Sequence, residues 1–268
     1  MFRKKIVDLT IDDLNYLIEN RIQESRTIEY KSILRISSDK EKREFLADIS
    51  SFANASGGDI IFGIEEQEGC PVRISEFQIE NIDGFLQKIG NLLRDGLDPR
   101  LPSYDVHYIN VNDNGYVIII RVLRSWTAPH RVIFNSHDKF YTRSPNGKYS
   151  MDVSELRLAF TLSDSISQRI SRFKDDRISK IIANETPIKI EDGAKIILHM
   201  IPIASFFPNH RFEYDFLKDN KMQIYLSPIC SSGWNTRINL DGYYSFSPLN
   251  VQRQLKIPFV LPHEKIIP

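Results

Sequence analysis

The stretch "SDKEKREFLADISSFANASGGDIIFGI", Ser38 to Ile64, leaves a chain little choice of fold. Ser38 and Glu41 form an S-x-x-E capping box, which satisfies two orphan amides where a helix begins. Behind it, Phe45, Leu46, Ile49, Phe52 and Ala53 recur at helical spacing, so one face of the helix is apolar. "NASGG" then stops it, because Gly57 and Gly58 accept positive φ without a steric penalty. "DIIFGI" follows at once as a continuous apolar run, the pattern of a buried strand. A helix that turns straight into a buried strand must pack on the sheet it feeds.

The flanking sequence supplies the other layers. Thr10 opens a T-x-x-D box before Leu14, Leu17, Ile18 and Ile22, which predicts a helix ending near Gln23 with Glu24 at its C-terminal end. From Thr27 to Leu34 the period falls to two: Ile28 and Tyr30 point one way, Glu29 and Lys31 the other. "EEQEGCP" reads as a turn, Ile79 to Leu93 as a helix, and "YDVHYINV" and "GYVIIIRVL" as a hairpin around "NDNG". "KFYTRS" is a further strand, "PNGK" a turn and "DVSELRLAFTL" a short helix. Residues 1–163 are therefore expected to form an α/β (α+β) domain, a mixed sheet with flanking helices. A boundary is expected at Leu162–Ser165. Beyond it, a long helix over Ile166–Ile182, an apolar strand "AKIILHMIPI" and an aromatic-rich region suggest a smaller helix-plus-strand domain, 164–268. The ending "FVLPHEKIIP" has no structural stop, as expected of a truncated chain.

Composition excludes several classes. Lys plus Arg and Asp plus Glu number 35 each, so no global field draws the chain to nucleic acid or anionic lipid. Cys70 and Cys230 stand in no metal-ligand spacing, and the six His lack any H-E-x-x-H pattern. The basic N-terminus has no apolar h-region after it, and the run "VIIIRV" is too short to span a bilayer. A cytoplasmic protein without a membrane partner is expected.

The chemistry concentrates in "ESRTIEYK", Glu24 to Lys31. Glu29 and Lys31 share a strand face, and Glu24 is positioned to fold back toward Glu29. A carboxylate beside an ammonium can hold a divalent metal and orient water against a phosphodiester. Two carboxylates at one site repel and call for a cation or a proton. Glu65 and Glu66, at the end of the "DIIFGI" strand, offer a third acid if that strand pairs beside the first. An exposed strand and a solvated turn would give the same letters.

"ESRTIEYK" followed by "FLADISSFANASGGDIIFGIEE" and, more loosely, "FYTRSPNGKYSMDVSEL" resembles the Schlafen AlbA-type domain over roughly residues 10–163. The resemblance implies a nuclease that cuts structured RNA, transfer or ribosomal, through a metal-dependent three-carboxylate centre, and a role in prokaryotic antiviral defence or stress. By position its acids would be Glu24, Glu29 and Glu66 (or Glu65), with Lys31 beside them. The third is Asp in the animal proteins, so the longer Glu is a departure. The implied cofactor is Mn²⁺ or Mg²⁺. No nucleotide cofactor is expected: Gly58 and Gly63 match the G-x4-G half of a phosphate loop, but Ile64 and Glu65 follow instead of Lys and Ser/Thr.

A partner surface is suggested between Arg121 and Tyr149, where six basic residues stand against one acid, Asp138, a local net of +5. Arg121, Arg124, Lys139, Arg143 and Lys148 are candidates for phosphate contact, and Tyr141 for stacking on a base. RNA is expected rather than DNA, with a non-catalytic DNA- or RNA-binding regulator as the alternative. Because "NASGG" occurs once, one lobe would offer only a short groove, and a homodimer is expected to supply the second wall.

Overall fold

The computed structural model describes residues 4–188, 190, 193–201, 235–239, 242–246 and 259–262. Its first compact unit runs to Ile201. In chain order it contains α1 (Ile11–Glu19), β1 (Ile28–Lys31), α2 (Asp39–Asn54), β2 (Gly57–Phe62), β3 (Ile64–Gln67), β4 (Cys70–Ile74), β5 (Phe77–Gln78), α3 (Ile82–Gly96), β6 (Leu97–Asp98), β7 (Tyr104–Asn112), β8 (Gly115–Leu123), β9 (Arg131–Val132), β10 (Lys139–Ser144), β11 (Gly147–Ser150) and α4 (Val153–Ile182). In the second unit, β12 (Asn235–Asn239), β13 (Gly242–Phe246) and β14 (Phe259–Pro262) form an antiparallel sheet.

The first unit is built on a mixed sheet. β1 runs parallel to β2, β2 antiparallel to β8, and β8 pairs with both β5 and β7. Adjacent side chains divide between its faces, and those two apart share one. Ile60 and Phe62 of β2 with Ile118, Ile120 and Val122 of β8 join Phe45, Leu46, Ile49 and Phe52 of α2 and Leu93 of α3. Ile61, Val117 and Ile119 instead meet Leu14 and Leu17 of α1 with Ile28 and Tyr30 of β1. Glu29 and Lys31 consequently point to the α2 side. A second sheet, ordered β11-β10-β9-β6, lies beyond α2, and β3 and β4 form a separate hairpin.

The glycine pair serves this packing. Gly57 has φ +70°, which turns the chain out of α2. At Gly58 a Cβ would stand 2.4 Å from Phe52 Cε1 and 2.6 Å from Thr27 O, so only glycine lets the ring settle against the strand. Asn54 closes the other side of the helix end. Its amide donates to His130 O at 3.0 Å and to Tyr141 O at 2.8 Å, and its oxygen accepts from His130 N at 2.7 Å.

Several elements differ from expectation. α1 stops at Glu19, and Arg21 has φ +46°, so Glu24 lies in the connection to β1 rather than on a helix end. "EEQEGCP" is a β-hairpin, bulged between Glu65 and Glu66. α4 is one continuous helix through residues 162–165, where a boundary was expected, and the compact units divide at Ile201/Pro202. In the first half of α4, Phe160 packs edge-on to Phe140 of β10. Residues 194–201 of the expected apolar strand form no strand; the rest of that segment lies outside the described residues.

Candidate active site

Glu24 and Glu29 come to one pocket of about 320 Å³, lined also by Gln23, Ser25, Asp48, Gly69, Arg143, Gly147 and Lys148. The connection that carries Glu24 is fixed by its own backbone: Glu24 N donates to Gly69 O at 2.7 Å. Its carboxylate then folds back and accepts from Tyr30 N at 2.8 Å. Burial pushes Glu24 above the ordinary carboxylate range against that hydrogen bond, and the charges of Glu29 and Glu66 push the same way.

Glu29 is the ionised member. Its Oε1 lies 2.8 Å from Lys31 Nζ and its Oε2 2.8 Å from Arg143 Nη1. Burial works to raise it, but these two cations outweigh burial and hold it below its usual value. Lys31 Nζ is also 3.4 Å from Asp48 Oδ2, and Asp48 Oδ1 is 2.5 Å from Lys148 Nζ. Burial works against the charge of Lys31, yet Asp48 and Glu29 keep its ammonium well above the normal range.

Arg143 is 4% exposed. Its guanidinium carbon lies over the Phe52 ring, 3.6 Å from the centroid, a cation–π contact that tolerates burial of the charge. Its Nε and Nη1 make no hydrogen bond; the Nη1 approach to Glu29 is an ion pair outside hydrogen-bonding alignment. Two unsatisfied buried donors beside a pocket are a costly arrangement unless something occupies them.

The remaining candidates divide. Glu66 and Glu65 are not among the residues lining the pocket: Glu66 Oε2 accepts from Gly69 N at 2.6 Å, closing the hairpin turn, and Glu65 pairs with Arg73 at 2.5 Å. Among the described residues, no group of three or more Asp, Glu, His or Cys stands ready to hold a metal. Arg121 is buried in an ion pair with its cross-strand neighbour Asp59, at 2.7 and 3.2 Å, and donates to Lys4 O. It cannot face a ligand in this arrangement. Lys148 is drawn to Asp48 and Glu44. Tyr141 is stacked on His137 and bonded to it through its hydroxyl at 2.7 Å, so its ring is already engaged. Arg124 and Lys139 are exposed. Partial burial and then neighbouring Arg26 lower Arg124, a sign of two guanidinium groups crowding one surface.

Sequence reasoning missed Asp48 and Asn54. Asp48 carried a legible signal: it is an acid inside the apolar stripe Phe45, Leu46, Ile49, Phe52. Asn54 gave none, since an amide before a helix stop looks like any cap.

This mixed sheet backed by α2, with a carboxylate pair gathered at its edge, defines a class before any comparison. Residues 24–152 match the family model described as Schlafen, AlbA_2, and this part of the chain is a domain of that family. A curated relative is 31% identical over 80 residues, the "Uncharacterized ATP-binding protein UU034" of Ureaplasma parvum serovar 3; the match covers 29% of this chain and 22% of that protein. Among solved structures, the DIP2311 protein of Corynebacterium diphtheriae aligns at 16% identity and TM-score 0.36, over 55% of this chain and 27% of its own. The N-terminal domain of a RecG-related protein from Nitrosomonas europaea aligns at 17% and 0.30, over 56% and 89%.

Proposed function

We propose that this chain is a divalent-metal-dependent endonuclease acting on structured RNA. The observation that carries the reading is the meeting of Glu24, Glu29, Arg143 and Lys148 at one pocket, with two donors of Arg143 unsatisfied there. Arg143 and Lys148 present positive charge to a phosphodiester at this pocket. Lys31 keeps Glu29 ionised. Glu24, pushed toward its neutral form by burial, ionises when positive charge arrives.

The donor set fits a Mg²⁺- or Mn²⁺-type ion, because such ions are often held by one or two carboxylates with substrate phosphate and water completing the shell. Glu24 and Glu29 would hold it; the expected third carboxylate, Glu66, is spent on its own turn. When bound, the ion polarises a phosphoryl oxygen and acidifies water. Arg124 and Lys139 would extend the phosphate track, and pairing of two copies would lengthen the groove.

One feature favours a second reading, a binding module without catalysis: both Glu29 oxygens are already matched by protein cations. A nucleotide site on the glycines has no such support. The backbone of β2 is bonded into ladders with β1 and β8, so its amides do not face a phosphate. The test is incubation of purified protein with total tRNA and with plasmid in Mn²⁺, Mg²⁺ or chelator. Metal-dependent tRNA fragments are expected. Binding without cleavage in every condition would establish the second reading instead.

A further inference from the structure

Asp48 is the only ionisable residue on the buried face of α2, and its side chain is 3% exposed. Its neighbours on that face are Phe45, Leu46, Ile49 and Phe52. Burying a carboxylate costs several kcal/mol before pairing repays it, so a hydrophobic residue would serve stability at least as well. What Asp48 does instead is divide its two oxygens between two strands. Oδ2 faces Lys31 of β1 at 3.4 Å, and Oδ1 faces Lys148 of β11 at 2.5 Å. Lys31 is thereby caught between Asp48 and Glu29, which is 2.8 Å away on its other side. Lysine is a compact charge on a flexible stem; paired to Glu29 alone, its ammonium would be free to swing. Burial and the nearby Glu29 push Asp48 upward against the pull of Lys148 and Lys31, so its ionisation depends on both lysines remaining in place.

We propose that Asp48 is a positioning residue of this site: it fixes the Lys31 ammonium against Glu29, which lines the pocket, and the Lys148 ammonium at the pocket wall, where it addresses the phosphodiester. The inference rests on the nuclease reading for what Lys148 addresses, but not for the clamp itself. Two variants separate the roles. Asp48→Asn removes the charge and Asp48→Glu keeps it while moving it by one methylene.

The first measurement needs no nucleic acid. Acylation of each lysine by a small amine-reactive ester, followed by mass spectrometry, should show Lys31 and Lys148 severalfold more reactive in Asp48→Asn, because each ammonium loses the carboxylate oxygen that pins it. Unchanged reactivity at both lysines would overturn the clamp, whether or not the protein cleaves RNA. The second measurement is tRNA cleavage at saturating protein in Mn²⁺, alongside tRNA affinity in chelator. In Asp48→Glu the cleavage rate should fall about 10–100-fold, the penalty of misplacement by an ångström, with affinity unchanged. In Asp48→Asn affinity should hold or tighten, since a negative charge beside phosphate is lost. Wild-type cleavage by folded Asp48→Glu would make Asp48 merely structural. If Asp48→Asn does not fold, Asp48→Glu carries the test, through cleavage and through retained protection of both lysines. A wild-type protein that cleaves nothing removes the nuclease reading and leaves the acylation result to decide Asp48.

Discussion

Arg121 and Arg143 are buried alike, 7% and 4% exposed, and both fall in the same basic segment. Their surroundings differ. Arg121 has two carboxylate oxygens of Asp59 and a backbone carbonyl, a complete set of partners at the centre of the sheet. Arg143 has an aromatic ring beneath it, one misaligned carboxylate, and donors with no acceptor. The first holds two strands in register. The second leaves two buried donors without a hydrogen bond beside the pocket. Burial alone does not separate a structural charge from a functional one; the completeness of its hydrogen bonding does.

The largest effects should come from breaking the two carboxylates in this comparison. Glu29→Gln should lower RNA cleavage on the order of 10²–10⁴-fold, the range for a lost catalytic carboxylate, as read by single-turnover kinetics. The amide keeps the shape between Lys31 and Arg143, so circular dichroism should still report a fold. Asp59→Leu should instead cost about 3–5 kcal/mol of stability, because Arg121 is left buried and unpaired, measured by urea denaturation. Activity per folded molecule should not change. A large activity loss in folded Asp59→Leu would erase the distinction.

Smaller effects sharpen it. Arg143→Met keeps the stem over Phe52 and leaves Glu29 with Lys31; RNA affinity should drop roughly tenfold, as expected for a lost charged hydrogen bond. Charge reversal at Lys139 or Arg124 should weaken binding to all sequences and reduce the salt slope by about 1 per phosphate contact. An unchanged slope in both would move the RNA track elsewhere.

Glu24 gives the subtlest test. Its folded value is raised, so its contribution to stability is complete below the ordinary carboxylate range and is lost as pH rises through the raised value. Glu24→Gln should therefore be more heat-stable than wild type at pH 7, and the gap should close below about pH 4. The same variant should lose RNA cleavage at every pH.

The central packing was legible because its period was unambiguous: the stripe on α2, the glycine pair and the apolar run of β2 fit a single layered arrangement. Glu29 and Lys31 were legible for a related reason, since a strand's alternation places side chains without knowledge of the rest; Glu24 reaches the same pocket from the connection before β1, not from the helix end expected. Arg143 was named as a candidate phosphate contact, but not as a neighbour of Glu29. Its partner, Phe52, belongs to another element, and no local pattern announces a meeting across layers. The turn at Glu66 was not legible, because the bulge between Glu65 and Glu66 has no signature in "EEQEG". Residues 162–165, where composition suggested a boundary, lie inside α4, because a change in side-chain character does not by itself interrupt a helix.

Phe52 lies against Gly58 on one side and carries Arg143 on the other. The hydrophobic core and the charge at the pocket are thus set by one ring, and their sequences are not free to drift apart. A methyl group gained at position 58 would be felt at position 143, two layers away, as a tilted guanidinium. Among related sequences, positions 52, 58 and 143 should change together or not at all.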